Sequence, residues 1–416
     1  MTDSSSFDLS RFTNRTRARS VASAMSRRSL LRGATAGGLV VAGAGALSAC
    51  GVKGAATATP SGQPKIGKAG TDYSATEKKL VWANWPAYID VDSKDANKHP
   101  TLDDFTKQTG ISVKYLEVIN DNNDWYTKIN PSLVKGVDTG YDLMVVSDYM
   151  LPKFRQYNYI QELDLANIPN HGNMLPEVLN DPVDPGRKFS TPWAYGFTTI
   201  AYNSKLVKTP ITSIAELFTR ADLRGKVTLF AEMEDTMALA MLAVGHNPTN
   251  FTDAQFNEAL DYVRKAKNAG QVRAYTGNDY LGDFQQGNTA VTMAYSGDVA
   301  QLGKDYLVTV DLPKEGMLSW NDNCVIPNYA RHKTNAEKLL NYYLQPDVAA
   351  ALDDYIDYIP GVTGAVAALQ KLDPATAKSP LIVPTKQMLA NAHGFMPLSV
   401  AQLDDYTSRF QQVTGQ

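Results

Sequence analysis

Short apolar runs alternate with helix-spaced segments along most of the chain. Leu80–Asn84, Ile111–Val118 and Asp142–Val146 read as strands, two of them continuous apolar runs and the middle one β-branched with alternation. Between and after them, helices are predicted from Thr101 to Gly110, over 124–134 around or broken by Pro131, and over 151–160. Thr101-Leu-Asp-Asp reads as a capping box for the first, and Gly110 as its stop. A second unit follows the same order. It has helical spacing at 214–220, 235–245 and 253–270, with strands at Val227–Phe230, Ala290–Tyr295, Tyr306–Leu312 and Cys324–Ile326. Helices at 335–344, 348–355 and 400–413 close the chain. Strands without polar alternation are buried on both faces, so the pattern predicts an α/β protein with mostly parallel sheets flanked by helices. The segment 191-TPWAYGFTTIAYNSK-205 has no helical period and lies between the units. It reads as a crossing between two lobes, with a ligand cleft between them.

The N-terminus is built differently. Residues 1–32 carry seven arginines against Asp3 and Asp8, and 34-ATAGGLVVAGAGALSAC-50 is mildly apolar and rich in small residues. This is the layout of an export signal. Within it, 26-SRRSLLR-32 looks like a twin-arginine motif and 47-LSAC-50 like a lipobox, with Cys50 as the lipidated residue; a plain secretory signal is the other reading. Residues 1–49 are then the signal and 50–77, rich in Gly, Ala, Thr and Pro, a lipid-anchored tether. The expected location is outside the cytoplasm, on the outer face of the cell membrane.

Loss of the signal leaves 33 basic and 41 acidic side chains, a net charge of −8. That balance argues against nucleic acid as partner and mildly favours cationic ligands. Cys50 and Cys324 are the two cysteines, so no disulfide framework or CxxC site can be built, and Cys324 reads as a buried thiol. The five histidines are scattered, which gives no metal site, and no cofactor motif is present.

In open α/β sheets ligands sit beyond the carboxyl ends of strands. Those positions hold Trp85 and Tyr88; Ser147, Asp148 and Tyr149; Glu232 and Asp235; Tyr295; and, before the last strand, Trp320 and Asp322. Flat aromatic faces and carboxylates recur. Together they suit an aliphatic polycation, with rings for its methylenes and acids for its ammonium groups. A cation over a ring gains about 0.5–2 kcal/mol. A carboxylate about 4 Å from an ammonium gains ~4 kcal/mol before desolvation at an effective dielectric near 20. Each residue also has a purely structural reading. Glu232 and Asp235 fit a helix N-terminus, Asp148 an N-cap, Asp322 a turn, Tyr295 the end of a buried strand, and a lone Trp the core.

The segments 84-NWPAY-88, 109-TGISVKY-115, 140-GYDLMVVSDY-149, 191-TPWAYGFTTIAYN-203, 293-MAYSGD-298, 313-PKEGMLSWND-322 and 346-PDVA-349 resemble the spermidine/putrescine-binding proteins of polyamine ABC importers. The resemblance runs from about Lys78 to Pro360. It implies a two-lobed, periplasmic-binding-protein-like type II fold that closes on a polyamine. The implied protein is a monomer that delivers its ligand to a permease driven by a cytoplasmic ATPase. It implies cleft roles for the residues above and adds Tyr358. Lobe 1 is expected at 78–193 plus 321–366, and lobe 2 at 194–320 plus 367–416. Pro86 replaces a hydroxyl residue of the family, Asp148 adds a carboxylate, Tyr295 stands where tryptophan is usual, and His393 is a guess for a C-terminal polar residue. Two rivals are the same fold holding another solute such as a sugar, and an exported hydrolase using Glu232 and Asp235 as an acid/base pair.

Overall fold

A computed structural model describes residues 70–302, the backbone of 308–309, and 313–416. The expected signal, Cys50, most of the expected tether and most of the strand expected at 306–312 lie outside the described residues.

Among the described residues ten strands form one sheet in the order β2-β1-β3-β9-β4-β7-β5-β6, with β10 on β9 and β8 (Val308–Thr309) on β4. β1 (Lys79–Asn84), β2 (Ser112–Glu117) and β3 (Leu143–Ser147) pair in parallel. So do β5 (Val227–Phe230), β6 (Val272–Thr276) and β7 (Val291–Tyr295). The buried runs LMVV and VTLF lie in these parallel sets, as strands covered on both faces should. Between the sets run two antiparallel strands, β4 (Ser190–Asn203) and β9 (Met317–Val325). The sheet is therefore continuous through its antiparallel middle, because chains that cross out and back must run in opposite directions.

Among the described residues two large apolar cores divide the molecule, with two small clusters beside them. One gathers Trp82, Phe105, Val145, Phe154, Cys324 and Leu339, and the other Leu229, Met237, Phe256, Met293 and Phe410. β4 feeds both, with Trp193 in the first and Ile200–Tyr202 in the second. This is a two-lobed α/β fold, with β4 and β9 as its crossings. At the start of β9 lies β10 (Ala392–His393), which pairs in parallel with Met317 and Leu318.

Several local expectations change. The helix Pro100–Thr109 begins at Pro100 with His99 at its N-cap position, whose side chain makes no cap bond; Thr101 lies inside it. The Thr101 hydroxyl instead bonds Asp90 and the Tyr343 hydroxyl, so a tertiary contact took the side chain from the capping role. Pro131 does not break the helix Asn122–Lys135. Residues 72–77, expected in the tether, are docked: Tyr73 N donates to Arg331 O at 2.7 Å and Thr334 Oγ1 to Asp72 at 2.6 Å. Cys324 is buried. No helix among the described residues is long and apolar enough to cross a membrane.

Candidate functional site

Where β1 ends, the chain turns at Pro86–Ala87, and Ala87 takes a left-handed φ of 60°. The turn is tied down on both sides. Asn84 Oδ1 accepts from Trp85 N at 2.8 Å, Glu117 Oε1 from Ala87 N at 3.0 Å, and Tyr88 O from Trp193 Nε1 at 3.0 Å. These bonds present Trp85 and Tyr88 to a cavity of about 430 Å³. The other nine predicted residues line the same cavity: Ser147, Asp148, Tyr149, Glu232, Asp235, Tyr295, Trp320, Asp322 and Tyr358.

Trp320 and Asp322 do not precede a strand as expected; they lie within β9. The β3–β9 register sets Ser147 opposite Asp322. Ser147 Oγ donates to Asp322 Oδ1 at 2.6 Å, and Tyr88 OH to Asp322 Oδ2 at 2.7 Å. Burial pushes the Asp322 carboxyl up, and these two hydroxyl donors pull it partly back.

Opposite stands the N-terminus of the helix Met233–Ala243. Glu232 is its N-cap residue and Asp235 sits in its first turn, so the structural reading of these acids holds alongside their place in the cavity. Glu232 Oε1 reaches the facing lobe, accepting from Asn122 N at 3.3 Å and Asn122 Nδ2 at 3.1 Å. Asp235 Oδ1 accepts from Thr198 Oγ1 at 2.5 Å. Burial, with Asp121, Asp235 and Glu234 nearby, pushes Glu232 well up. Asp235 is pushed up to about 7 by burial and the Asp322 charge, against its Thr198 bond. Glu234, which sequence reading passed over inside 232-EMED-235, also lines the cavity and is pushed up to about 8, mainly by burial.

The rings form one chain of edge contacts. Tyr88 meets Tyr358 at 5.6 Å, Tyr358 meets Trp320 at 5.4 Å, and Trp320 meets Tyr295 at 5.4 Å. Two glycines make room. A Cβ on Gly196 would lie 2.8 Å from the Trp320 ring, and one on Gly297 would lie 2.5 Å from the Tyr358 ring. The indole nitrogens of Trp85 and Trp320 are buried without hydrogen-bond partners among the described residues.

Asp148 differs from its neighbours. It is the first residue of a 3-10 turn whose N-cap position is Ser147, so it does not take the N-cap role expected of it. It accepts from Asn321 N at 2.8 Å and Asn323 Nδ2 at 2.7 Å, away from Ser147 and Asp322. Also missed were Asn122, Asp181, Tyr195 and the segment 394–398, of which all but Asn122 line the cavity. Their place depends on contacts across more than a hundred residues. The guess His393 is not among the lining residues; Gly394 and Phe395 are.

The cavity walls carry seven carboxylates (Asp148, Glu177, Asp181, Glu232, Glu234, Asp235 and Asp322) and no Lys, Arg or His among the described lining residues. A buried carboxylate needs a compensating cation or a proton. The site is therefore electrostatically complementary to a cation with apolar flanks.

A family model for bacterial extracellular solute-binding proteins matches residues 101–384. The chain belongs to that family. It is 30% identical over 315 residues to the spermidine/putrescine-binding periplasmic protein of Escherichia coli K12, covering 75% of this chain and 85% of that one. It is 28% identical over 305 residues to the putrescine-binding periplasmic protein PotF of the same organism, covering 68% of this chain and 78% of that one. A putative spermidine/putrescine ABC transporter structure from Listeria monocytogenes superposes with a TM-score of 0.70 at 25% identity, covering 81% of this chain and 99% of that chain.

Proposed function

We propose that this solute-binding protein closes its two lobes on a polyamine of the spermidine/putrescine type and hands it to the permease of an ABC importer. The observation that carries the reading is the cavity wall, where seven buried or flanking carboxylates meet a continuous row of rings with no basic side chain among the described lining residues. The relatives named above bind such amines by their own names, which supports it. In this reading Asp322 takes one ammonium group, with Tyr88 and Ser147 orienting its oxygens. Glu232 and Asp235 take another, while Trp85, Tyr149, Tyr295, Trp320 and Tyr358 flank the methylenes.

The lobes would be 78–193 plus 321–366 and 194–320 plus 367–416, hinged where β4 and β9 cross. The protein would act as a monomer outside the cytoplasm, held to the membrane by an acylated Cys50 after removal of residues 1–49. It would leave its ligand chemically unchanged.

A melting screen of the purified protein tests the reading. Spermidine or putrescine is expected to raise the melting temperature and change the tryptophan fluorescence. A rise with a neutral sugar, and none with either amine at millimolar concentration, would show the ligand class to be wrong. Turnover of a sugar or amide substrate by the purified protein would restore the hydrolase.

A further inference from the structure

A second polar cluster lies on the reverse face of β9. Side chains alternate along a strand, so Trp320 and Asp322 point one way while Asn321 and Asn323 point the other. Pairing of β3 with β9 ends at Ser147 opposite Asp322. One residue further on, Asp148 takes over the ladder position and its Oδ2 accepts the main-chain N–H of Asn321. The cavity is lined on both sides of this point: by Trp320 and Asp322 on one face, and by Asn321, Tyr195 and Asp181 on the other.

Asn321 Nδ2 donates to Asp181 Oδ2 at 2.9 Å and to Asp148 Oδ2 at 3.3 Å. Its orientation is thereby set, because the turned amide would press its oxygen against two carboxylates. The residue is 8% exposed, and its Oδ1 has no hydrogen-bond partner among the described residues. A buried acceptor without a donor is costly. The charges are also uneven. The Arg187 guanidinium lies 3.3 Å from Asp181 and lowers Asp148 as well, so one cation serves two acids. Burial and the Asp181 charge still push Asp148 up to about 7. One more N–H-bearing cation would complete the set, donating to Asn321 Oδ1 and balancing Asp148.

We propose that this compartment is a second ammonium subsite, in which Asp148, Asp181 and Asn321 Oδ1 hold a protonated primary amine. The inference rests on the polyamine reading of the main slot and extends it. The amine comes either from the far end of a longer polyamine, whose methylenes run past Val178 and Pro182 of the cavity wall, or from a second short amine.

Calorimetric titration with putrescine, spermidine and spermine separates these cases. The expected result is one spermine per chain, bound at least about tenfold tighter than putrescine, or two putrescines per chain. Asp148→Ser is expected to cut the spermine-to-putrescine affinity ratio about tenfold, or to abolish the second putrescine. One putrescine and one spermine of equal affinity would overturn the subsite, as would an Asp148→Ser variant that weakens both in the same proportion. If Asp148→Ser does not fold, the length series and stoichiometry on the unaltered protein decide. Binding of none of the three would instead overturn the polyamine reading itself.

Discussion

At the residue scale, the cavity acids set the chemistry. Asp322 accepts from two hydroxyls that hold its oxygens in place, so its charge is aimed rather than merely buried. Asp322→Asn keeps the size and removes the charge. Affinity for spermidine or putrescine is expected to fall about tenfold to a hundredfold, the range for a hydrogen bond to a charged group, as read by tryptophan fluorescence titration. The same acids predict a pH dependence. Asp235 is pushed up to about 7 and Glu234 up to about 8, both mainly by burial. The folded ligand-free protein thus holds protons that the unfolded chain gives up near pH 4, and its stability falls as pH rises from there through about 7–8. An ammonium ligand reverses the shift, so binding releases protons and tightens as pH rises toward 8. Titration calorimetry in two buffers of different ionisation heat measures the release; proton uptake, or none at pH 6, would contradict it.

At the element scale, the rings depend on what lies behind them. Gly196 in β4 and Gly297 at the start of the helix Ser296–Leu302 leave the space that Trp320 and Tyr358 fill. Gly297→Ala should force the Tyr358 ring aside and destabilise the fold by about 1–3 kcal/mol, seen as a lower urea midpoint, with weaker amine binding. Much of this level was legible beforehand. The period-two run marks β2 and the apolar runs mark β1, β3, β5 and β7, and the helices 253–268 and 400–414 follow their three- and four-residue spacing. β6 was missed because it lies at the sheet edge and is mostly half-buried, so its residues carry no apolar run. The Thr101 capping box failed because Asp90 and Tyr343, distant in sequence or fold, claimed its hydroxyl.

At the scale of the whole molecule, contacts join the two lobes across the cleft. Glu232 is bonded to Asn122 across the cleft, and Lys153 Nζ lies 2.9 Å from Asp404 Oδ1 on its rim. The rim pair is partly exposed and contributes little; the Glu232–Asn122 bonds are buried and count for more. Asn122→Ala is expected to favour the open form and weaken amine binding about tenfold. Small-angle scattering should then show a larger radius of gyration than the unaltered protein at equal ligand concentration; an unchanged radius and affinity would rule the latch out.

The sequence by itself determined the α/β class, the crossing near residues 191–205 and eleven of the side chains that end up on the cavity wall, but not Glu177, Asp181, Tyr195 or Glu234. These follow from local rules: burial dictates apolar runs, and strand ends dictate where side chains escape the sheet. Only the tertiary structure decided that β4 and β9 join both halves in one sheet, that Asn122 meets Glu232, and that Asp148 turns its back on Ser147 to join Asn321 and Asp181. Those outcomes depend on strand register and on partners more than a hundred residues away, which no local pattern encodes.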